Sequence, residues 1–236
     1  MRLILDAAQS SNIILRVLGS IAIQMHSQSA RSQIMPRVLT DIDFAGYSKQ
    51  SQHIIDLFRK LGYSPDDDFN TLHGTERLLF YGRDNLRVDV FLDVLSMSHK
   101  LDLRGRLELD YPTLSLTDLL MTKLQIVELN EKDVKDIVCL LNDHEIAAED
   151  DPEKINGRYI AGICSGDWGI YKTFTMNITR TTTHLDRVAG NEEIRDRVRK
   201  QSETLLHKIE ETPKSMKWKM RAKVGEKKRW YELPEV

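Results

Sequence analysis

The segment that most constrains the fold joins an apolar run, a Gly-Ser pair and a later Asp-x-Asp motif. Residues 13–18 are mostly aliphatic, which predicts a buried strand, and the apolar pattern resumes as a helix over residues 21–25. Gly19 and Ser20 lie between the two. A strand-to-helix turn of this composition places backbone N–H groups and a hydroxyl at a helix N-terminus, where a phosphate binds well. The segment therefore predicts a phosphate-binding turn.

The Asp-x-Asp motif lies in a second predicted strand, residues 38–44. Side chains alternate along a strand that rises ~3.3 Å per residue, so Asp41 and Asp43 share one face about 6.6 Å apart. Two neighbouring carboxylates repel each other unless a cation lies between them. Hard oxygen ligands of this kind suit Mg²⁺, and Mn²⁺ is the alternative ion. We therefore expect a metal site on this face.

A third carboxylate is predicted in the strand LRVDVFLDVL, residues 86–95. Asp89 can join the two acids of the second strand if the two strands are neighbours, and Asp93, which faces the same way, is the alternative. We prefer Asp89, because an acid enclosed between two valines is costly to bury without a cation or a hydrogen-bond donor. An ion pair with Arg77 or Arg87 is the structural alternative to a metal.

These residues, in this order, carry a resemblance to a known family. Gly19-Ser20, then Asp41-x-Asp43, then a distant Asp89 inside an apolar strand, resembles the polymerase-β-type nucleotidyltransferase superfamily. The resemblance implies that Gly19 and Ser20 hold the triphosphate. It further implies that the three aspartates are catalytic and ligate the metal.

A later pattern is similar to the AbiEii-type branch of that superfamily. Lys123 is followed by Lys-Asp-x-x-Asp at residues 132–136, and both lie in predicted helices. The resemblance implies that Lys123 contacts phosphate. Arg31 and Arg37, in the polar loop before the Asp-x-Asp strand, are further candidates for binding the triphosphate, although a loop arginine is more often only solvated.

The order of elements predicts an α+β fold with two domains. Residues 1–111 are expected to form the catalytic domain, a mixed β-sheet with flanking helices, and residues 112–236 an all-helical C-terminal region. The acidic run after Pro65 is interpreted as a solvated turn. The periodicity predicts helices over residues 1–12, 51–61, 117–129, 131–141, 152–163 and 191–212, with a further helical segment from residue 167 that breaks at residues 181–183.

Composition excludes several classes of protein. The chain has 236 residues, of which 41% are hydrophobic and 30% charged, an ordinary globular balance. No apolar run approaches the ~20 residues that span a bilayer, and the first residues lack the apolar core of a signal peptide. Cys139 and Cys164 have no metal-binding spacing. We expect a cytoplasmic protein with reduced thiols and no membrane contact.

The C-terminal tail, residues 214–236, carries eight Lys/Arg and three Glu, so its net charge is +5 against −7 for the rest of the chain. Trp218, Trp230 and Tyr231 are interleaved with the basic residues. This combination allows phosphate contacts and base stacking on a nucleic acid, and equally describes a solvated terminus.

The leading functional hypothesis is transfer of a nucleoside monophosphate from an NTP such as ATP to an acceptor, with release of pyrophosphate through two-metal catalysis. The acceptor is RNA (including tRNA), an aminoglycoside-like small molecule or a protein. The first alternative is a non-catalytic nucleotide-binding or toxin–antitoxin-type interaction protein on the same fold. A sugar-nucleotide transferase is a second alternative, which the Gly-Ser turn ahead of Asp-x-Asp disfavours.

Overall fold

The computed structural model describes residues 1–31 and 41–233, which form two compact units. The first unit contains residues 1–22, 41–96 and 100–115, and the second contains residues 23–31, 97–99 and 116–233. Arg37 lies outside the described residues.

The first unit is built on a five-stranded mixed sheet of order β1-β2-β5-β4-β3. Strands β2 and β5 run parallel, and the other neighbours are antiparallel. An antiparallel pair, β6 and β7, follows the sheet. The strands are β1 Leu15–Leu18, β2 Asp41–Gly46, β3 Ser64–Pro65, β4 Arg77–Tyr81, β5 Arg87–Leu92, β6 Val94–Ser96 and β7 Lys100–Asp102.

Helices flank this sheet, and aromatic residues fill the core beneath it. Phe58 of α4 stacks on Phe80 of the sheet with ring centroids 4.3 Å apart, and both are fully buried. Helix α2 begins in the first unit and ends in the second, where α3 follows. The helices in this part of the chain are α1 Arg2–Ser10, α2 Gly19–His26, α3 Gln28–Arg31, α4 Ser51–Lys60 and α5 Asp67–His73.

The predicted acidic turn after Pro65 is wrong, because helix α5 forms there. The carboxylate of Asp66 accepts a hydrogen bond from the backbone N–H of Phe69 at 3.0 Å and so caps the helix. Asp67 and Asp68 follow in the first turn, where negative charge is favourable beside the helix dipole. The acidic run therefore lies at the N-terminus of a helix.

The second unit is helical apart from one short parallel pair, β8 and β9. Side chains cap most of its helices, as with Asn130, whose side-chain oxygen accepts hydrogen bonds from two backbone N–H groups at the start of α7. The elements are α6 Leu116–Leu124, α7 Glu131–Asp143, β8 Glu145–Ala147, β9 Lys154–Asn156, α8 Gly157–Gly166, α9 Trp168–Thr183, α10 Leu185–Val188, α11 Glu192–Glu211 and α12 Met216–Val224.

The α+β fold class is confirmed, but two of the predicted helix boundaries are wrong. The helix expected over residues 152–163 starts later, because residues 154–156 pair as a strand and Asn156, not Asp151, caps α8. The helix expected to reach residue 129 ends at Leu124. Among the described residues no helix is long and apolar enough to cross a membrane, and Cys139 and Cys164 are both buried.

Candidate active site

The parallel pairing of β2 and β5 brings the predicted carboxylates to one face of the sheet. Asp43 lies directly opposite Asp89, and Asp41 lies opposite Arg87. Paired residues on neighbouring strands point to the same side at a strand spacing of ~4.8 Å, and residues two apart on one strand also share a side. Asp41 is exposed, Asp43 is half-buried and Asp89 is almost fully buried. The three acids therefore form a row that runs from solvent into the sheet.

The predicted phosphate-binding turn meets this row at Asp43. Strand β1 ends at Leu18, which pairs with Asp43, and α2 starts at the next residue. Gly19 has φ +71°, and a Cβ added to it would lie 2.6 Å from Asp43 Oδ2. Both the left-handed backbone and the close carboxylate require glycine here. Ser20 follows in the first turn of α2, where backbone N–H groups have no helical partner.

Asp89 is paired with two arginines. Arg77 Nη2 and Nε lie 2.6 and 2.7 Å from Asp89 Oδ1. Arg87 Nε lies 2.9 Å from Asp89 Oδ2, and its Nη2 is 3.4 Å from Oδ1. The ion pair considered as the alternative for Asp89 is therefore present, with both candidate arginines. Two guanidinium groups supply the positive charge that a buried carboxylate needs.

The two arginines are held differently. The Arg77 guanidinium carbon lies 4.9 Å from the centroid of the Phe91 ring and 5.6 Å from that of Phe69. Within the described part of the chain Arg87 lies over no aromatic ring, and its side chain is 47% exposed against 29% for Arg77. The hydrogen bond to Asp89 raises the pKa of Arg87, and the negative charges of Asp89 and Asp41 contribute. Arg77 is thus enclosed, while Arg87 faces solvent.

Asp93 does not share the strand geometry of Asp89. It follows the end of β5 with φ +60°, and its carboxylate accepts hydrogen bonds from the backbone N–H of Ser48 at 3.1 Å and from the Ser48 hydroxyl. Its side chain holds the turn before α4. Between the two alternatives for the third carboxylate, the register therefore favours Asp89.

The donor set suits a hard divalent ion in its chemistry. Carboxylate oxygens are the ligands that Mg²⁺ prefers, and Asp43 and Asp89 face each other across two strands. Across residues 1–31 and 41–233, however, no three His, Cys, Asp or Glu side chains are grouped closely enough to hold a metal ion. Both oxygens of Asp89 are engaged by guanidinium groups. The acids are therefore of the chemical type that the ion prefers, but the described residues do not form a metal site in this arrangement.

Lys123 belongs to the second unit and is already paired. Its ammonium lies 3.0 Å from Asp133 Oδ1 and 2.9 Å from Asp136 Oδ2, and all three side chains are buried. Burial alone would lower the pKa of Lys123, but the charges of Asp136 and Asp133 outweigh burial and raise it. The Lys-Asp-x-x-Asp pattern thus produces a closed ion cluster. Contact of Lys123 with phosphate stays a prediction.

Arg31, the loop arginine that the structure describes, is also engaged. Its Nη1 donates hydrogen bonds to the carbonyl oxygens of Gln24 at 2.9 Å and Met25 at 2.6 Å, close to the C-terminal end of α2. A cation there satisfies carbonyl groups that lack a helical partner. This contact accounts for Arg31 without a triphosphate.

The tail aromatics pack on α9. The Trp218 and Tyr171 rings meet edge to face at 5.1 Å, and Trp230 Nε1 donates a hydrogen bond to Thr173 Oγ1 at 3.0 Å. The lysines on the outer side of α12 are exposed. The exposed lysines of the tail are therefore available to bind a polyanion. Its aromatic rings pack on α9 and are less available to stack on bases.

Sequence reasoning named Arg77 and Arg87 only as an alternative to a metal and did not assign them to the site. Arg87 carries a visible signal, because it lies two residues before Asp89 and so shares its face. Arg77 carries none, because its contact depends on the β4–β5 register, in which it pairs with Phe91.

Comparison with known proteins gives structural matches only. No family profile matches the chain, and no curated protein is similar to it. A solution structure of the antibiotic-resistance factor ANT(2″)-Ia shares 16% identity over 58% of this chain and 78% of that one, with a TM-score of 0.38. A crystal structure of ANT(2″)-Ia with adenylyl-2″-tobramycin shares 15% identity over 58% and 83%, with a TM-score of 0.39. With similarities this low, the functional argument rests on the residues of this chain.

Proposed function

We propose that the protein is a metal-dependent nucleotidyltransferase that moves a nucleoside monophosphate from an NTP to an acceptor. One observation carries the proposal: Asp43 faces Asp89 across parallel strands while the Gly19 backbone lies against the Asp43 carboxylate. A helix N-terminus that can bind phosphate therefore lies next to the two acids that are proposed to bind the metal. The order of these residues along the chain resembles the polymerase-β-type superfamily.

The chemistry assigned to these residues is an in-line displacement. An acceptor oxygen forms a bond to the α-phosphorus, the bond from that phosphorus to the bridging oxygen breaks, and pyrophosphate leaves. In this proposal Asp89 takes the acceptor's proton, directly or through water. Gly19 and Ser20 hold the β- and γ-phosphates at the N-terminus of α2. Mg²⁺ or Mn²⁺, held by Asp41, Asp43 and Asp89, would neutralise charge on the attacking and leaving oxygens.

The acceptor belongs to one of three classes: RNA, an aminoglycoside-like small molecule, or a protein. The exposed lysines of α12 favour an acceptor with phosphates, because each cation–phosphate contact releases a counterion.

A second candidate is a protein that binds nucleotide or a partner without turnover. The ion pairs of Asp89 favour it, because a carboxylate held by two guanidinium groups is not open to a metal. Catalysis requires at least one of these pairs to exchange. The two functions therefore differ in whether Asp89 ever binds metal.

The deciding experiment compares the wild type with Asp43→Asn and with Asp56→Asn, a matched loss of charge on the exposed side of α4. Each is incubated with Mg²⁺, each of the four α-³²P-labelled NTPs, and total RNA, a panel of aminoglycosides or a protein lysate. We expect label on one acceptor class for the wild type and Asp56→Asn. For Asp43→Asn we expect at least a ~100-fold loss, since the ion's charge stabilisation disappears. If Asp43→Asn labels the acceptor as well as the wild type does, Asp43 is not part of the active site. If the wild type binds nucleotide but labels no acceptor, the non-catalytic candidate is favoured.

A further inference from the structure

The inner side of helix α12 fixes its orientation within the second unit. The Trp218 ring meets the Tyr171 ring of α9 edge to face at 5.1 Å, and the Arg221 guanidinium carbon lies 4.7 Å from the centroid of the Trp168 ring. The backbone N–H just before the helix, at residue 215, donates a hydrogen bond to the carbonyl oxygen of residue 165 at 3.0 Å. These contacts determine which side of α12 points outward.

The outer side of α12 carries a stripe of exposed apolar side chains. Met216, Met220 and Val224 are 71%, 61% and 42% exposed. Residues four apart are neighbours on a helix surface, so the three side chains form a continuous line about 12 Å long. Single exposed apolar residues are ordinary on a protein surface, whereas a contiguous group of them is typical of a binding site.

Positive charge borders this stripe on both sides. Lys217, Lys219 and Lys223 are exposed, and among the described residues none of the three pairs with an acid. A helix advances about 100° per residue, which places Lys217 on one side of the stripe and the other two lysines on the opposite side. Helix α12 contains no acidic residue. Glu226, just beyond the helix, is paired with Lys172 of α9.

We propose that the outer side of α12 binds an acidic amphipathic helix of a partner protein. The apolar residues of that helix cover the stripe, and its Asp and Glu residues, on both flanks, pair with the three lysines. Flanking charges of opposite sign also set the orientation of two packed helices. Because the stripe is only about two turns long, the contact is small and the complex is transient. This docking surface does not depend on the proposed function.

The apolar stripe distinguishes this partner from a nucleic acid or a membrane. A nucleic acid would neutralise the lysines through its phosphates but would leave the stripe in water, and the Trp218 and Trp230 rings, which could stack on bases, pack on α9 instead. A helix that lies in a membrane interface inserts bulky side chains such as Trp, Phe or Leu. Methionine is flexible and adapts its shape to the surface of a partner protein.

The test uses the full chain and a fluorescein-labelled helical peptide of about five turns, with leucines in one stripe and glutamates on both sides of it. Fluorescence anisotropy measures its affinity. One control peptide has serine in place of every leucine, and a second has glutamine in place of every glutamate. A labelled oligouridylate RNA and vesicles of phosphatidylcholine and phosphatidylserine represent the other two occupants.

Two double variants change α12, and two others make the same changes at exposed residues elsewhere. Leu3 and Leu72 are 68% and 77% exposed, and Lys60 and Lys200 are exposed lysines of α4 and α11. The variants are Met216→Ser/Met220→Ser and Lys219→Gln/Lys223→Gln on α12, with Leu3→Ser/Leu72→Ser and Lys60→Gln/Lys200→Gln as controls.

We expect the wild type to bind the acidic amphipathic peptide with a Kd of roughly 1–100 µM. The methionine variant should bind it at least about 10-fold more weakly, because the apolar contact is lost. The lysine variant should bind it about 5- to 10-fold more weakly, the range for losing two exposed ion pairs. The two control variants should match the wild type, and both control peptides should bind more weakly than the first peptide.

Three results would each overturn the inference. If the serine peptide binds as tightly as the leucine peptide, or the methionine variant binds as tightly as the wild type, the stripe is not part of a docking surface. If RNA or vesicles bind and the peptide does not, the lysines serve a polyanion or a membrane instead. If no probe binds, the outer side of α12 has no such function. Thermal unfolding confirms that the variants are folded, and the labelling assay tests the proposed function separately.

Discussion

Two buried ion clusters, one in each unit, use opposite arrangements of charge. In the first unit one acid, Asp89, is shared by two arginines, of which Arg87 is half in water. In the second unit one cation, Lys123, is shared by Asp133 and Asp136, and all three side chains are at most 10% exposed. The first cluster is open at one side, and the second is closed.

The difference shows which cluster can change partners. Members of a closed cluster cannot be solvated when a bond breaks, so the cluster acts as a fixed cross-link between α6 and α7. In the open cluster water can replace a lost contact of Arg87 with little penalty. Function that needs exchange is therefore expected at Asp89, and stability is expected to depend on Lys123.

The largest expected effect comes from opening the closed cluster. Lys123→Met leaves two buried carboxylates without their shared cation and should lower the free energy of unfolding by about 3–5 kcal/mol. Urea denaturation measures this loss in the free energy of unfolding. The triple variant Lys123→Met/Asp133→Asn/Asp136→Asn should recover most of the loss, because no charge is then buried alone.

Asp89→Asn provides the matching change in the open cluster. It should cost only about 1–2 kcal/mol, since the Arg87 side chain can turn to solvent and the amide oxygen of the substituted residue can still accept a hydrogen bond from Arg77. If Asp89→Asn proved as damaging as Lys123→Met, the distinction between open and closed clusters would be lost.

His99 is a third buried ionisable group. Burial keeps its ring neutral, whereas the charged side chains of the two clusters stay charged and are paired. His99 Nε2 lies 2.8 Å from Thr173 Oγ1, which also accepts the Trp230 hydrogen bond. Burial lowers the pKa of His99 to about 4, against a small opposing effect of the Asp167 charge. The unfolded chain, with a histidine pKa near ~6.5, takes up a proton first as the pH falls.

His99 therefore stabilises the fold fully above pH ~6.5, and this contribution is lost as the pH falls from there to about 4. The loss should reach at most about 3 kcal/mol. Denaturation midpoints across this pH range measure it, and His99→Gln should flatten the profile. An unchanged slope in His99→Gln would assign the acid sensitivity to the ion clusters.

A further pair of variants tests the close approach of the Gly-Ser turn to Asp43. Gly19→Ala and Gly62→Ala both place alanine at positive φ, at a cost of about 1–2 kcal/mol each. Gly62 has no neighbour within 4 Å of an added Cβ, while at Gly19 that atom would meet Asp43 Oδ2. Only Gly19→Ala should also weaken Mn²⁺ binding. Equal behaviour of the two variants in thermal unfolding and Mn²⁺ titration would show that the approach to Asp43 has no consequence for the metal.

Local sequence patterns determined a large part of this protein. The apolar run before Gly19-Ser20 predicted the strand and the helix that follow, because backbone preferences and side-chain periodicity act over a few residues. The alternation in the Asp-x-Asp strand placed Asp41 and Asp43 on one face for the same reason. The acidic run after Pro65 misled the prediction, since Asp66 caps a helix whose apolar periodicity is weak.

Tertiary structure alone decided how the charged residues are used. The β2–β5 register set Asp43 opposite Asp89, and the β4–β5 register brought Arg77 to the same carboxylate. The turn after β5 carried Asp93 to Ser48 instead. These partners are separated by 12 to 46 residues along the chain. Pairing at such distances depends on the packing of whole strands, and no local pattern of side chains contains that information.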